Sequence, residues 1–346
     1  MNQRVRRAWE LGTSETALLV ALGLLPLLVG SDLTKQVSVL LIYSILALGL
    51  HVVVGYTGLL HLGIAASFGI GAYTAGILAT NTYPFQIGFL PSLLLSGATA
   101  AAASIALAAP TLRLRGDYLA LVTLGFGEVL KFSLRNLENI TNGTRAISPI
   151  PAAVSDGWPG IDRKMYFIAF AVLAVTIVLL KNLERSRLGR AWVALREDEL
   201  AATCMGIDIA AARLWAFAIG SALAGIAGCL YAFHLGGTAQ PDAYDFNRSI
   251  ITLCCLILGG LGSIRGALIG VFLLIGFDNI VSPQIDALIQ SAGMQSPLLR
   301  FSSWRLMIFG LALILMMRFR PEGLLPASRV KLEMHERDAA SLKGAA

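Results

Sequence analysis

Apolar residues run without alternation for turn after turn along this chain, and short clusters of charge or glycine punctuate them. Val37–Val54, Ile87–Ala109 and Leu214–Leu235 are almost uncharged, and each is close to the roughly 20 residues a helix needs to cross a bilayer core. The bilayer core gives backbone groups no partner, so a spanning segment must satisfy them inside a helix or a closed barrel. Continuous runs predict helices, whereas a barrel would alternate. Further spans are predicted at Ala17–Gly30, Leu59–Thr80, Tyr118–Leu134, Tyr166–Leu180, Ile250–Phe277 and Trp304–Met317, the first and last of these being short.

Two of these runs carry features that disturb a plain span. Glu128 and Lys131 lie three residues apart inside the Tyr118 run, on one helical face, and are predicted to pair. Ile250–Phe277 is interrupted by Gly259-Gly260-Leu261-Gly262-Ser263-Ile264-Arg265-Gly266, where glycine disfavours an unbroken helix. That segment is predicted to re-enter or to cross twice with Arg265 at the turn. The expected fold class is all-α: a polytopic integral membrane helical bundle of about eight to ten transmembrane helices with broken or re-entrant segments.

Composition agrees with the pattern. The 346 residues are 56% hydrophobic and 14% charged, too few charges to cover a soluble domain of this size. The net charge of +6 sits between apolar runs, which makes it a topology signal and excludes nucleic acid as the expected partner. With the amino terminus inside and spans alternating, the inner face holds the amino-terminal arm, 111–117, 181–213, the Arg265 turn and the tail. Those segments carry about 18 of the 27 Lys and Arg residues, as the positive-inside rule requires. The organisation expected is a cytoplasmic arm over 1–16, a membrane domain over 17–319 that includes the 181–213 loop, and a cytoplasmic tail over 320–346. A basic stretch before the first apolar run resembles a signal peptide, but no A-x-A-like site follows, so a retained span is predicted.

Cysteine and histidine offer no metal chemistry. Cys204, Cys229, Cys254 and Cys255 lack ligand spacing and are predicted to be packing residues. His51, His61 and His234 are isolated and read as packing or interface groups. No paired-carboxylate or Ser/His/Asp arrangement suggests an intramembrane enzyme. No G-x-x-x-x-G-K-[ST] phosphate loop occurs, so no ATP hydrolysis by that route is expected, and no cofactor is expected in this chain.

Two stretches remain as candidates for function. Between Arg187 and Gly206 the inner loop has no glycine or proline from Ala191 to Met205, which predicts one short helix stopped by a left-handed Gly206. Such a helix is either a docking ridge for a cytosolic partner or an amphipathic connector resting on headgroups. Between Gly55 and Tyr73, glycines at Gly55, Gly58, Gly63, Gly69 and Gly71 favour close helix approach or a broken helix lining a pathway. The candidate pathway residues are Gly55, Tyr56, Gly58, Ser67, Gly69, Gly71, Tyr73 and Glu128, the last because an acid at membrane depth is costly and suggests a site.

Five ordered blocks carry a family resemblance. They are the 184–208 loop, Gly55-Tyr56-Thr57-Gly58-Leu59-Leu60-His61-Leu62-Gly63, Phe68-Gly69-Ile70-Gly71-Ala72-Tyr73, the stretch from Leu114 to Glu128, and Leu258–Gly266. Together they resemble the permeases of ATP-binding-cassette (ABC) importers, in particular the branched-chain amino acid permeases of the LivM kind, over about Val37 to Gly323. The match departs from the family at Ile64-Ala65-Ala66, at Ala146 and in the spacing of Glu199-Leu200-Ala201-Ala202 before Gly206. The resemblance implies import of branched-chain or other apolar amino acids by alternating access across a bacterial inner membrane, with both termini cytoplasmic. It implies that ATP and Mg²⁺ bind separate ATPase subunits. A second homologous permease chain, a periplasmic or extracellular solute-binding protein and membrane lipid are the other implied partners. It also makes Arg187, Gly189, Arg190, Arg196, Glu197, Asp198, Glu199 and Gly206 the ATPase-coupling set. Alternatives are a urea or short-amide permease, and a proton- or sodium-driven secondary transporter with Glu128 as the titrating group.

Overall fold

The computed structural model describes residues 30–111, 117–151, 153, 161–238, 240–291, 304–320 and 323–325. The expected arm over 1–16, nearly all of the Ala17–Gly30 span, most of the tail and the 112–116 turn lie outside the described residues. Every described element is helical, as expected for this fold class. Among the described residues five helices are long and apolar enough to cross a membrane, and there are two shorter apolar ones. The chain divides into two compact units, Met1–Ser249 and Ile250–Ala346.

The first unit is built around α1 (Ser31–His51), which continues through a π-helical turn at Val52–Tyr56 to a length of 26 residues. At 1.5 Å per residue this is about 39 Å, more than the hydrocarbon core needs. From Leu40 onward α1 is enclosed on all sides. The unit also holds α2 (Ile64–Ala79), α3 (Phe89–Thr111), α4 (Asp117–Asn136) and α5 (Ile161–Arg185); α5 packs along α1, α2 touches it narrowly, and α3 and α4 pack against α2. The short α6 (Arg187–Glu197) and α7 (Glu199–Cys204) lead into α8 (Ile209–Leu235).

Helix α8 binds this unit together because its small residues let other backbones reach it. A Cβ on Gly220 would sit 2.7 Å from the Gly49 carbonyl of α1, and one on Gly228 would overlap the Phe68 carbonyl of α2. Lipid tails are as apolar as leucine, so such close van der Waals approach is what holds membrane helices together. Some polar groups in the interior pair across helices, as in the Ser67–Ser221 hydrogen bond of 3.1 Å.

The predicted span Leu59–Thr80 is shorter in the structure. Tyr56 ends the π turn, Gly58 adopts φ +72°, and helix resumes only at Ile64. The backbone groups released by this break find side chains: Leu62 N–H donates to Thr123 Oγ1 at 3.1 Å, and Ala65 N–H to Ser249 Oγ at 3.1 Å. Irregular backbone is tolerated at this depth because protein surrounds it. The weakly apolar Tyr118 run forms a 20-residue helix, α4, which is not among the helices apolar enough to cross a membrane.

The long Ile250–Phe277 run is two helices. Helix α9 (Phe246–Gly259) and α10 (Ile264–Gly276) meet at Gly260–Ser263, where Gly260 and Gly262 take φ of +116° and +87°. Ser263 Oγ then accepts Gly266 N–H at 3.2 Å and starts α10. In this second unit α10 runs through a π turn at Phe277–Val281 into α11 (Ser282–Ser291), and α12 (Arg305–Phe319) follows. Leu324 and Leu325 N–H donate to the Leu258 and Gly259 carbonyls at 3.0 and 2.9 Å. The start of the tail therefore lies at the same end as the Arg265 turn.

Candidate functional site

The α5–α8 connection is a capped hairpin of two helices. Ser186 Oγ donates to the Leu183 carbonyl at 2.6 Å and accepts Gly189 N–H at 3.2 Å, closing α5 and opening α6 within one residue. A side chain at Gly189 would collide with the Leu183 and Glu184 carbonyls, so glycine is required at this turn. The single helix expected from Ala191 to Met205 is interrupted at Asp198. Its carboxylate accepts Leu200 and Ala201 N–H at 2.7 and 3.0 Å, an N-cap that competes successfully with helix continuation. Gly206 ends α7 with φ +81°, while Ile207 N–H reaches back to Ala202 O at 3.1 Å and Gly206 N–H to Thr203 O at 2.9 Å. This is the left-handed stop expected at that position. Asp208 caps α8 through Ala211 N–H at 3.1 Å.

Four contacts fix the hairpin to the bundle. Arg196 Nη1 donates to the Gly55 carbonyl inside the π turn of α1 at 2.7 Å. Trp192, fully buried, stacks on Tyr56 of the same turn with centroids 6.2 Å apart and planes 11° from parallel. Its Nε1–H donates to Ala212 O on α8 at 2.8 Å. Arg213 of α8, only 4% exposed, forms an ion pair with Glu199 of α7, which stays 34% exposed. Breaking a buried pair by removing one partner typically costs about 3–5 kcal/mol, because the remaining charge has lost its solvent.

The eight expected coupling residues therefore divide. Arg196, Glu199 and Gly189 hold the hairpin, and Asp198 and Gly206 shape it. Arg187, Arg190 and Glu197 are exposed, with Arg190 also donating to Arg185 O at 2.8 Å. Sequence reading missed Trp192, an aromatic in a charged loop and thus a visible anchor signal. It also missed Leu200 and Met205, which are 72% and 82% exposed on the open side.

The eight pathway candidates divide differently. Six of them are buried in the first unit, and Gly58 is exposed at the break between α1 and α2. The Gly55 carbonyl is taken by Arg196, and Gly58 lies under that side chain, its would-be Cβ 3.0 Å from Arg196 Cγ. Gly69 faces the Tyr244 ring, Gly71 faces the backbone of Gly225, and Tyr73 meets Tyr244 edge-on at 5.9 Å. Ser67 is bonded to Ser221, and Tyr56 is buried under Trp192. Glu128 is half-buried on α4. Its expected partner Lys131 instead reaches Asp242 at 3.6 Å, because the chain after α8 folds back against α4. Glu128 has no hydrogen bond or ion pair among the described residues.

His51 and His61 are interior: His51 lies edge-on to Tyr56 at 4.8 Å and His61 to Phe217 at 5.0 Å. Cys229, Cys254 and Cys255 are buried and Cys204 is exposed. Among the described residues no group of three or more His, Cys, Asp or Glu is placed to hold a metal ion.

The profile described as "Branched-chain amino acid transport system / permease component" matches residues 33–317. The chain belongs to that family. It is 36% identical to the high-affinity branched-chain amino acid transport system permease protein LivM of Escherichia coli K12, over 92% of this chain and 76% of the relative. A probable LivM of Methanocaldococcus jannaschii is 28% identical over 82% of this chain and 90% of its own length. The autoinducer 2 import system permease LsrC of an Enterobacter strain is 26% identical over 69% of this chain and 68% of its own. No solved structure matches the chain. This permease is thus a multi-pass helical membrane protein of a transport family, with a hairpin tied to its central helix.

Proposed function

We propose that this permease is the membrane subunit of an ABC importer that carries branched-chain or other apolar amino acids by alternating access. The observation that carries the reading is the hairpin itself. Its inner side grips the π turn of α1 and the first turn of α8, while Arg187, Arg190, Glu197, Leu200 and Met205 stay open to a partner. A force on the open side is delivered to two core helices at once. Bound ATP on the partner then favours one state of the bundle and hydrolysis releases it, a population shift of a bistable element.

ATP and Mg²⁺ belong on separate ATPase subunits in this reading, since this chain has no Walker-type phosphate loop. A second homologous permease and a solute-binding protein complete the importer. The inner membrane with both termini cytoplasmic is supported by the concentration of Lys and Arg on the hairpin side. Branched-chain substrates are favoured over a urea-like solute by the names of the two LivM relatives.

Uptake in proteoliposomes tests the reading. Branched-chain amino acid uptake that requires ATP, the ATPase subunits and the binding protein is the expected result. Uptake by this chain alone, driven by a proton or sodium gradient, overturns it.

A further inference from the structure

Ala146 sits where only glycine is at ease, with φ +61° and ψ 166°. In that region a Cβ crowds its own backbone, and such residues persist only where their surroundings over-determine them. Ala146 follows the short 3-10 turn Gly143–Arg145, in the chain that leaves α4. Four hydrogen bonds pin this chain on either side of the strained residue. Asn142 Nδ2 donates to the Ala146 carbonyl at 2.8 Å. Ile147 N–H donates to Thr238 Oγ1 at 2.9 Å, and Thr238 N–H donates back to the Ile147 carbonyl at 2.9 Å. Ile150 N–H reaches the Gly236 carbonyl at 2.9 Å. Residues 141–150 thus form a strap fastened to the turn after α8, with Ile147 and Ile150 buried. That turn lies one length of α8, about 40 Å, from the end that the hairpin holds.

A run of aromatic rings lies beneath the strap. Ile147 and Thr238 both rest on Gly76 of α2, where a Cβ would overlap the Thr238 methyl group. The Thr238 hydroxyl also pairs with Tyr73, three residues earlier on α2. Tyr73 meets Tyr244 edge-on, Tyr244 stands 5.7 Å from Phe68, and Phe68 stands 5.3 Å from Tyr231 of α8. Tyr244 comes from the short turn Pro241–Tyr244 and is 1% exposed. Its hydroxyl has no hydrogen-bond partner among the described residues. A buried hydroxyl is rarely left so, because its lost hydration goes uncompensated. Rings with polar tips suit a guest that is apolar at one end and polar at the other.

We propose that the 141–150 strap is a sprung gate, which closes the end of a passage along α2 lined by Tyr73, Tyr244 and Phe68 and lifts to admit an amino acid with an apolar side chain. The closed strap holds Ala146 in a costly conformation, and lifting lets that residue relax. The strain therefore keeps the gate near balance, so that a modest push opens it. The entering solute lays its side chain on the rings and its polar end on the Tyr244 hydroxyl. The proposal rests on the importer reading above, in which the hairpin is cytosolic and the strap faces the delivered solute. It adds which segment opens and which residues the solute meets first.

The test uses the assembled importer in vesicles. A Cβ on Gly237 would lie 3.2 Å from Ser148 Cβ, close enough for a disulfide to lock the strap. Ser148→Cys with Gly237→Cys, in a Cys204→Ser background, is oxidised, and bond formation is checked by mass spectrometry. Uptake is expected to fall by about tenfold or more and to return on reduction, so the reduced pair is its own control. In a second variant, Ala146→Gly, the closed strap is relieved of strain. Hydrogen exchange at the Ile147, Ile150 and Thr238 amides is expected to slow by about fivefold. Full uptake with the disulfide formed overturns the gate, a pair that does not oxidise overturns the docked strap, and unchanged exchange overturns the spring. Each assay is run with ATP and with an ion gradient. Loss of uptake on oxidation upholds the gate whichever of the two drives transport, whereas uptake driven by the gradient alone defeats the importer reading.

Discussion

Arg196 and Gly55 are 141 positions apart in the chain and joined by a 2.7 Å hydrogen bond. The donor lies in the hairpin after α5 and the acceptor in the π turn of the central helix. π turns inside α-helices often mark functional positions, because one carbonyl in the ladder is left for another donor. Here the guanidinium takes that carbonyl, and the arginine stem covers Gly58 as well.

Replacing Arg196 should therefore uncouple the permease without unfolding it. Lysine keeps the charge but loses the planar donor fork. Arg196→Lys is expected to lower uptake by about tenfold, the equivalent of about 1.4 kcal/mol of coupling, while ATP hydrolysis by the assembled complex continues. Parallel uptake and phosphate-release measurements decide this, and full uptake would remove the bond from the coupling route.

Glu199 and Arg213 give a stability prediction. Glu199→Ala leaves Arg213 buried without its ion-pair partner, and the partial exposure of Glu199 discounts the usual cost to about 2 kcal/mol. Thermal unfolding in detergent should show a lowered midpoint for this variant. Measuring Arg213→Met alone and together with Glu199→Ala gives the coupling between the two side chains, expected at about 1–2 kcal/mol.

Close packing by α8 predicts an asymmetry between glycines. Gly228→Ala places a methyl on the Phe68 carbonyl and should destabilise by about 1–3 kcal/mol. Gly310→Ala in α12 meets nothing within 4 Å and should be neutral or stabilising by up to about 1 kcal/mol through helix propensity. Paired melting curves in the same detergent read the difference; equal effects would contradict the packing.

The exposed Leu200 and Met205 are expected to act at the partner. Leu200→Glu with Met205→Glu should leave the melting midpoint within about 0.5 kcal/mol of wild type, as surface changes do. Co-purification of the ATPase subunits should fall by tenfold or more. Undiminished recovery of the complex would place docking elsewhere on the hairpin.

Cys204 reports orientation. Its thiol is exposed on the hairpin and the other three cysteines are buried. An impermeant maleimide should label inverted membrane vesicles and spare intact cells. The opposite pattern would put the hairpin outside and remove any contact with cytosolic ATPases.

Several elements were legible before any coordinates. The breaks at Gly206 and at Gly260–Gly262 are local events, because a left-handed backbone needs glycine wherever it occurs. The α6–α7 segment stood out for its charge, although the break at Asp198 did not: an aspartate inside a good helical pattern becomes a cap only if the chain turns there. Lys131 illustrates the harder case. Its neighbour one turn away is Glu128, and it nevertheless bonds Asp242, which arrives from 111 positions further along.

Taken by itself, the order of residues determined that this is a bundle of helices in a membrane, that the chain turns at Gly206 and at Gly260–Gly262, and which loop carries the charge. Those properties depend on each segment's own hydrophobicity and backbone freedom. Only the tertiary structure decided that six of the eight pathway candidates are buried while Gly58 is exposed, that Arg196 and Trp192 hold the hairpin to α1, and that Lys131 bonds Asp242. In water a polar stripe announces the outer side of a helix. In a bilayer both sides are apolar, so which face meets protein and which meets lipid follows from small residues touching across distant segments.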